Sequence, residues 1–277
     1  MARIVILTHE FDDFERRPYL VQALMPHWVE AGHSVQVVEG LEGWPEADIA
    51  VMHVDHSLVP EAYAIASRRY PRVINGQALD IRKRHVSRMV LTRDADWSGP
   101  VIVKTNLNHG GLPEMHYYAR LRQAGRPGAE PPGDLAFSRT PYAILPDKSR
   151  VHPSFWDHPG VVVEPFMPEQ DERGYWMRVW LFLGRQERSA RYVATDPLVK
   201  GANITGRAEC DVPDEIRAER ERLGFDFGKF DFVVHQGRPI LLDANRTPAN
   251  PSPSLRPGMA EANARLATGL DDWVRAA

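Results

Sequence analysis

Strand and helix signals alternate through the first 75 residues, and that alternation constrains the fold more than anything that follows it. The apolar run "RIVIL" (3–7) reads as a short buried strand. "RPYLVQALMPHWVEAG" (17–32) carries apolar residues at helical spacing and stops at Gly32, as a helix C terminus should. "SVQVVE" (34–39), "ADIAVMHV" (47–54) and "RVIN" (72–75) read as strands, with "PEAYAIASRRY" (60–70) as the helix between the last two. Strands and helices at this spacing predict a parallel sheet covered by helices, a Rossmann-like α/β domain. Ligands of such sheets sit beyond the carboxyl ends of the strands, so His9 and Glu10, directly after the first strand, are candidate substrate contacts.

Beyond residue 76 the pattern changes toward α+β. "ALDIRKRHVSRMVL" (78–91) predicts a helix and "GPVIVKTN" (99–106) a strand leading into the glycine-containing loop "LNHGG". "GRPGAEPPG" (125–133) is turn-rich. "GVVVEPFM" (160–167), "YWMRVWLFLG" (175–184) and "RSARYVAT" (188–195) read as strands, and a last helix is expected over roughly 259–275.

The most telling stretch is "FGKFDFVVHQGRPILLDANRTP" (227–248), two apolar strands around a Gln-Gly turn, interrupted by Asp231, Asp243 and Asn245. Asp243 and Asn245 are two apart and share a strand face. A tight two-residue turn alone sets Asp231 opposite Leu242, facing the wrong way; a bulge or a three-residue turn brings it beside Asp243. Two carboxylates and an amide oxygen then make a hard-oxygen site suited to Mg²⁺. The plainer alternative is that Asp243 and Asn245 only cap a strand and shape the turn before Pro248.

Two further segments carry chemistry. Lys104 ends an apolar strand before Gly110 and Gly111, whose backbone amides can approach a phosphate. The strand ending at Glu164 bends at Pro165 and leads through Phe166 to an acidic loop containing Glu172, an arrangement able to offer backbone groups to an adenine edge. Their order, together with the metal hairpin, resembles the ATP-grasp superfamily, especially glutathione-synthetase-like and ribosomal-protein glutamate-ligase-like enzymes. "PVIVKTNLNHGG" resembles its phosphate-lysine strand and loop, "VVVEPFM" its adenine hinge and "KFDFVV…ILLDANRTP" its metal hairpin.

The resemblance implies an α/β amino-terminal substrate domain over 1–76, a linker helix with a reduced lid over 77–160 and a carboxy-terminal ATP-grasp part over 161–277. It implies ATP and Mg²⁺ as cofactors. Lys83 and Lys104 are then the nucleotide lysines, with Gly110 and Gly111 at the phosphates. Glu164, Pro165 and Phe166 lie at adenine, Glu172 at ribose and Asn203 on the phosphate side. Arg178 and Arg191 stand near the transferred phosphate, and Asp231, Asp243 and Asn245 hold the metal. Arg256 is a candidate for an acceptor carboxylate. Asp243 stands where the family usually has Glu, and Trp176 where it often has Asp.

The implied activity is ATP-dependent joining of a small-molecule or peptide carboxylate to an amine or thiol through an acylphosphate, with homodimers common among such enzymes. The alternatives are a kinase on the same scaffold and a non-catalytic nucleotide-binding protein. The net charge of −3 gives no general pull toward nucleic acid or anionic membranes. The sole cysteine, Cys210, excludes an intramolecular disulfide, and "MARIVIL" enters a strand without the features of a signal peptide. Together these predict a cytoplasmic protein.

Overall fold

A computed structural model describes residues 1–137, 141–250 and 258–274. The expected alternation is realised as β1 (Arg3–Thr8), α1 (Leu20–Glu30), β2 (Ser34–Glu39), β3 (Ile49–Met52), α2 (Glu61–Ser67) and β4 (Val73–Ile74). These strands form an all-parallel sheet in the order β2-β1-β3-β4. β1 is central and buried from Ile4 to Thr8, which is why it reads as an unbroken apolar run. α1 buries Leu20, Val21, Leu24 and Trp28 on one stripe, and its first turn is closed by Tyr19 N–H donating to Gln22 Oε1 at 3.1 Å.

The next segment departs from the sequence reading. Only α3 (Lys83–Val86) of the helix expected over 78–91 forms. The backbone amides that such a helix needs are taken by tertiary partners: Ile81 N–H donates to Ser57 O, Lys83 N–H to Asn106 O and Arg84 N–H to Asn106 Oδ1. β5 (Val101–Thr105) lies between β6 (Ala143–Leu145) and β7 (Val161–Pro165) in a small antiparallel sheet. α4 (Leu112–Gln123) connects β5 to β6.

The large sheet contains β8 (Glu169–Asp171), β9 (Gly174–Leu183), β10 (Gln186–Ala194), β11 (Gly206–Glu209), β12 (Phe227–His235) and β13 (Arg238–Asn245), with α5 (Asp214–Arg222) before β12. α5 covers one face, where Trp180, Phe182, Phe230 and Phe232 pack with Ile216 and Leu223. α6 (Met259–Ala267) and α7 (Asp271–Val274) replace the single helix expected over 259–275. The break falls at Gly269, where a Cβ would lie 2.0 Å from Leu183 O, so the chain passes the sheet too closely for a side chain.

Two devices join the parallel sheet to the large one. Leu183 and Phe227 enter the same apolar cluster as α1, α6 and the parallel sheet. Asn75, at φ 61°, donates to Phe227 O and accepts from the amides of Asp226 and Phe227. Among the described residues no helix is long and apolar enough to cross a membrane.

The β12–β13 turn places Gln236 (φ 49°) and Gly237 (φ 81°) in left-handed conformations, as a two-residue hairpin turn requires. No other atom lies within 4 Å of a Cβ built on Gly237, so Gly237→Ala tests the backbone alone. The expected cost is about 1–2 kcal/mol by urea denaturation, and an unchanged midpoint would contradict this turn geometry.

Candidate nucleotide and metal site

The hairpin register decides whether its acidic residues meet. Asp231 pairs with Asp243 and Phe232 with Leu241, leaving Leu242 as a bulged residue. The tight turn and the bulge therefore coexist, and the bulge brings the carboxylates side by side. Lys229 pairs with Asn245, which puts Lys229 on the Asp231 face.

Three lysines from three elements converge on this face. Lys229 Nζ lies 2.8 Å from Asp231 Oδ2, and Lys83 Nζ lies 3.4 Å from Asp243 Oδ1. Lys104 Nζ lies 2.5 Å from Glu164 Oε2 and 3.5 Å from Leu242 O. Burial is the largest influence on Lys83 and Lys229 and opposes their charge, yet Asp243 with Tyr142 at Lys83, and Asp231 with Asp243 at Lys229, together outweigh it, so both lysines are held above their ordinary range. Burial pushes the Asp231 carboxyl up; Lys229 opposes this and Asp243 adds to it.

The donor set fits a divalent cation. Asp231 Oδ1 is buried without a hydrogen-bond partner, Asp243 Oδ1 is buried with only the Lys83 ammonium beside it at 3.4 Å, and Asn245 Oδ1, which accepts from Thr247 N–H at 2.8 Å, has a second lone pair. Among the described residues no group of three His, Cys, Asp or Glu side chains could hold a metal by itself. Two carboxylates and an amide suit Mg²⁺, which readily completes its shell with phosphate oxygens and water.

Other expected site residues lie around this centre or apart from it. Glu164, Pro165 and Phe166 lie at the end of β7 beside β5, and the Glu164 carboxylate is committed to Lys104. His109, Gly110 and Gly111 take φ 48°, 65° and 73°, a succession of left-handed residues that delivers the chain into α4. Glu172 is exposed in the β8–β9 turn. Asn203 folds its own loop, accepting from Lys200 N–H and donating to Leu198 O.

Arg178 pairs with Phe232, whereas Val179 pairs with Asp231, so strand alternation sends Arg178 to the face opposite Asp231. Arg191, paired with Arg178, follows it. Arg178 forms a fork with Glu169 at 2.8–3.1 Å; Arg191 lies 3.9 Å from Glu169 and over the Trp176 ring. Arg256 lies outside the described residues. Sequence reading overlooked Lys229, although its position two residues before Asp231 on one strand carried the signal.

His9 and Glu10 belong to a second centre at the carboxyl edge of the parallel sheet. Thr8 ends β1 and Met52 ends β3, and the residues that follow, His9, Asp12, His53, Asp55 and His56, are buried together. Tyr19 Oη lies 2.8 Å from Asp12 Oδ1 and 2.9 Å from Asp55 Oδ2. His9 and His56 stack at 4.3 Å. Four of these residues went unremarked in the sequence, although they follow strands β1 and β3 as directly as His9 does.

Burial lowers His9 to about 4, His53 to about 3 and His56 to about 2, and raises Asp12 to about 7. Below pH about 6.5 the unfolded chain binds protons on three histidines that the fold keeps neutral, which destabilises the fold as pH falls toward 4. Asp12 opposes this, since the fold favours its protonated form between about 4 and 7. The raised carboxyls of Glu114, Asp226 and Asp231 act in the same sense as Asp12, so the effect is read from one histidine at a time. His53→Leu should gain melting temperature relative to wild type as pH falls from about 6.5 to 4.5; a difference between the two that does not change with pH would contradict the assignment.

Solved structures with this architecture exist at low sequence identity. The chain is similar to a RimK domain ATP-grasp protein from Sphaerobacter thermophilus, at 14% identity over 97% of this chain and 99% of the other, with a TM-score of 0.52. D-alanine–D-alanine ligase from Bacillus anthracis complexed with ATP aligns at 13% identity over 100% and 97%, with a TM-score of 0.52. The ATP-grasp ligase PsnB complexed with a minimal precursor aligns at 14% identity over 97% and 99%, with a TM-score of 0.51. No family sequence model and no curated protein sequence matches the chain. The chain has the ATP-grasp fold.

Proposed function

We propose that the protein is an ATP-dependent carboxylate–amine ligase acting through an acylphosphate. The observation that carries this reading is the bulged hairpin, which sets Asp231, with its Oδ1 unpartnered, beside Asp243 where Lys83, Lys104 and Lys229 meet. In an ATP-grasp fold, that combination supports binding of a metal–polyphosphate complex. Mg²⁺, held by Asp231, Asp243 and Asn245, would supply neutralisation of phosphate charge.

In the reaction, a substrate carboxylate oxygen attacks the γ-phosphorus of ATP and ADP leaves. The amine nitrogen then attacks the acylphosphate carbonyl, expels inorganic phosphate and loses a proton. The protein's task is to orient the carboxylate in line and to stabilise charge on the transferring group. Lys83 and Lys104 are assigned to the nucleotide phosphates, and Lys229, on the metal face, to the transferred one. The carboxylate class extends from small acids to peptide carboxylates, since PsnB shares the fold and its structure contains a precursor.

Incubation with ATP, Mg²⁺ and acid–amine pairs, with ¹⁸O in the carboxylate, tests the reading. The expected result is release of inorganic phosphate carrying one ¹⁸O and formation of an amide. Phosphate retained on an organic product would contradict it in favour of a kinase.

A further inference from the structure

Asn245 ends β13, and the chain that follows it is fastened to the carboxyl edge of the parallel sheet. Arg246 is fully buried and donates to the carbonyls of Val54 and His56, one on either side of Asp55. Between them Thr247 Oγ1 meets the Asp55 carboxylate, 2.6 Å from Oδ1. One step further on, Leu20 N–H donates to Pro248 O at 2.8 Å and Asn250 N–H to Pro18 O at 2.6 Å. Asp55 and Thr247 are thus held face to face by contacts that neither side chain makes itself.

Thr247 has one hydroxyl proton and two side-chain oxygens within its reach. Asp55 Oδ1 lies at 2.6 Å and Asn245 Oδ1 at 3.3 Å. The carboxylate is the nearer, and an ionised acceptor holds a proton donor more strongly than an amide oxygen does. Its other oxygen, Oδ2, lies 2.9 Å from both Arg17 Nη1 and Tyr19 Oη, which keeps Oδ1 aimed at the threonine. Among the described residues Asn245 Oδ1 then receives Thr247 N–H alone, at 2.8 Å, and keeps a lone pair open. Without Asp55 the hydroxyl would turn to Asn245, and its proton would occupy that lone pair.

We propose that Asp55 is a positioning residue for the metal site: by taking the Thr247 hydroxyl proton, it keeps the Asn245 oxygen open to a divalent cation. That Asn245 meets a cation at all rests on the reading above. The device joins the two sheets, since Asp55 follows β3 of the parallel sheet and Asn245 closes the metal hairpin. A bridge that only held the sheets together would behave differently. Loss of either side chain would then loosen the join, and loss of both would be no better than loss of one.

The test is the Mg²⁺ concentration that gives half the rise in melting temperature at a fixed level of ADP, measured for wild type and three variants. Asp55→Ala should raise that midpoint about tenfold. Thr247→Val keeps the shape and the N–H but lacks the hydroxyl, and should stay close to wild type. Asp55→Ala/Thr247→Val should return toward wild type, because no hydroxyl proton remains to compete for the Asn245 oxygen. Each midpoint is read against the same variant's melting temperature without ligand, so a general loss of stability does not imitate the effect. The proposal is overturned if Asp55→Ala keeps the wild-type midpoint, or if the double variant needs as much Mg²⁺ as Asp55→Ala does. A raised midpoint in Thr247→Val alone would overturn it too, whether or not Asp55→Ala folds. A wild type without any Mg²⁺-dependent shift would bring down the metal reading, and this role with it.

Discussion

Lys104→Met is expected to lower the unfolding free energy by about 3–5 kcal/mol, read from urea denaturation at neutral pH. Lys104 and Glu164 are 5% and 4% exposed and lie 2.5 Å apart on neighbouring strands of the small sheet. Removing the lysine leaves the Glu164 carboxylate buried without its cation, and Glu164 Oε1 already has no hydrogen-bond partner. The companion Lys104→Met/Glu164→Gln variant removes both charges and should recover much of the loss. A single variant as stable as wild type would contradict the buried pair.

Lys229→Met should cut ATP-dependent turnover by about 10²–10³, and Arg178→Met by much less. Lys229 shares the metal face with Asp231 and Asn245, whereas Arg178 is spent on Glu169 on the other face. In the proposed reading, Asp231 would help hold the metal, which would leave Lys229 to neutralise the transferred phosphate. Lys229→Arg should retain part of the activity, since the charge survives. A larger loss in Arg178→Met than in Lys229→Met would reverse this assignment and restore the one implied by motif order.

The contrast shows what the chain discloses about itself. The parallel sheet was legible because β1 and β3 are buried on both faces and so read as apolar runs. The hairpin was legible because polar residues interrupt two such runs; that Asp231 should meet Asp243 called for a bulge or a three-residue turn, and the bulge is the one the fold adopts. Arg178 was not legible, since a strand's facing depends on register with β12, which lies some fifty residues away. The short α3 escaped prediction for a related reason: Asn106 and Ser57, distant in sequence, take the amides a longer helix would use. The buried histidine cluster is assembled from the ends of β1 and β3, α4 and the segment after β13, and no spacing in any one of them announces it.

Thermal melting with ADP or ATP, with and without Mg²⁺, tests the hairpin as a metal–nucleotide site without knowledge of the substrates. Ligand at a hundredfold above Kd adds about 2.7 kcal/mol to the folded state. A Mg²⁺-dependent rise in melting temperature is expected for the wild type and should be lost in Asp243→Ala/Asn245→Ala. No shift with either nucleotide, or a shift that survives in that variant, would contradict it.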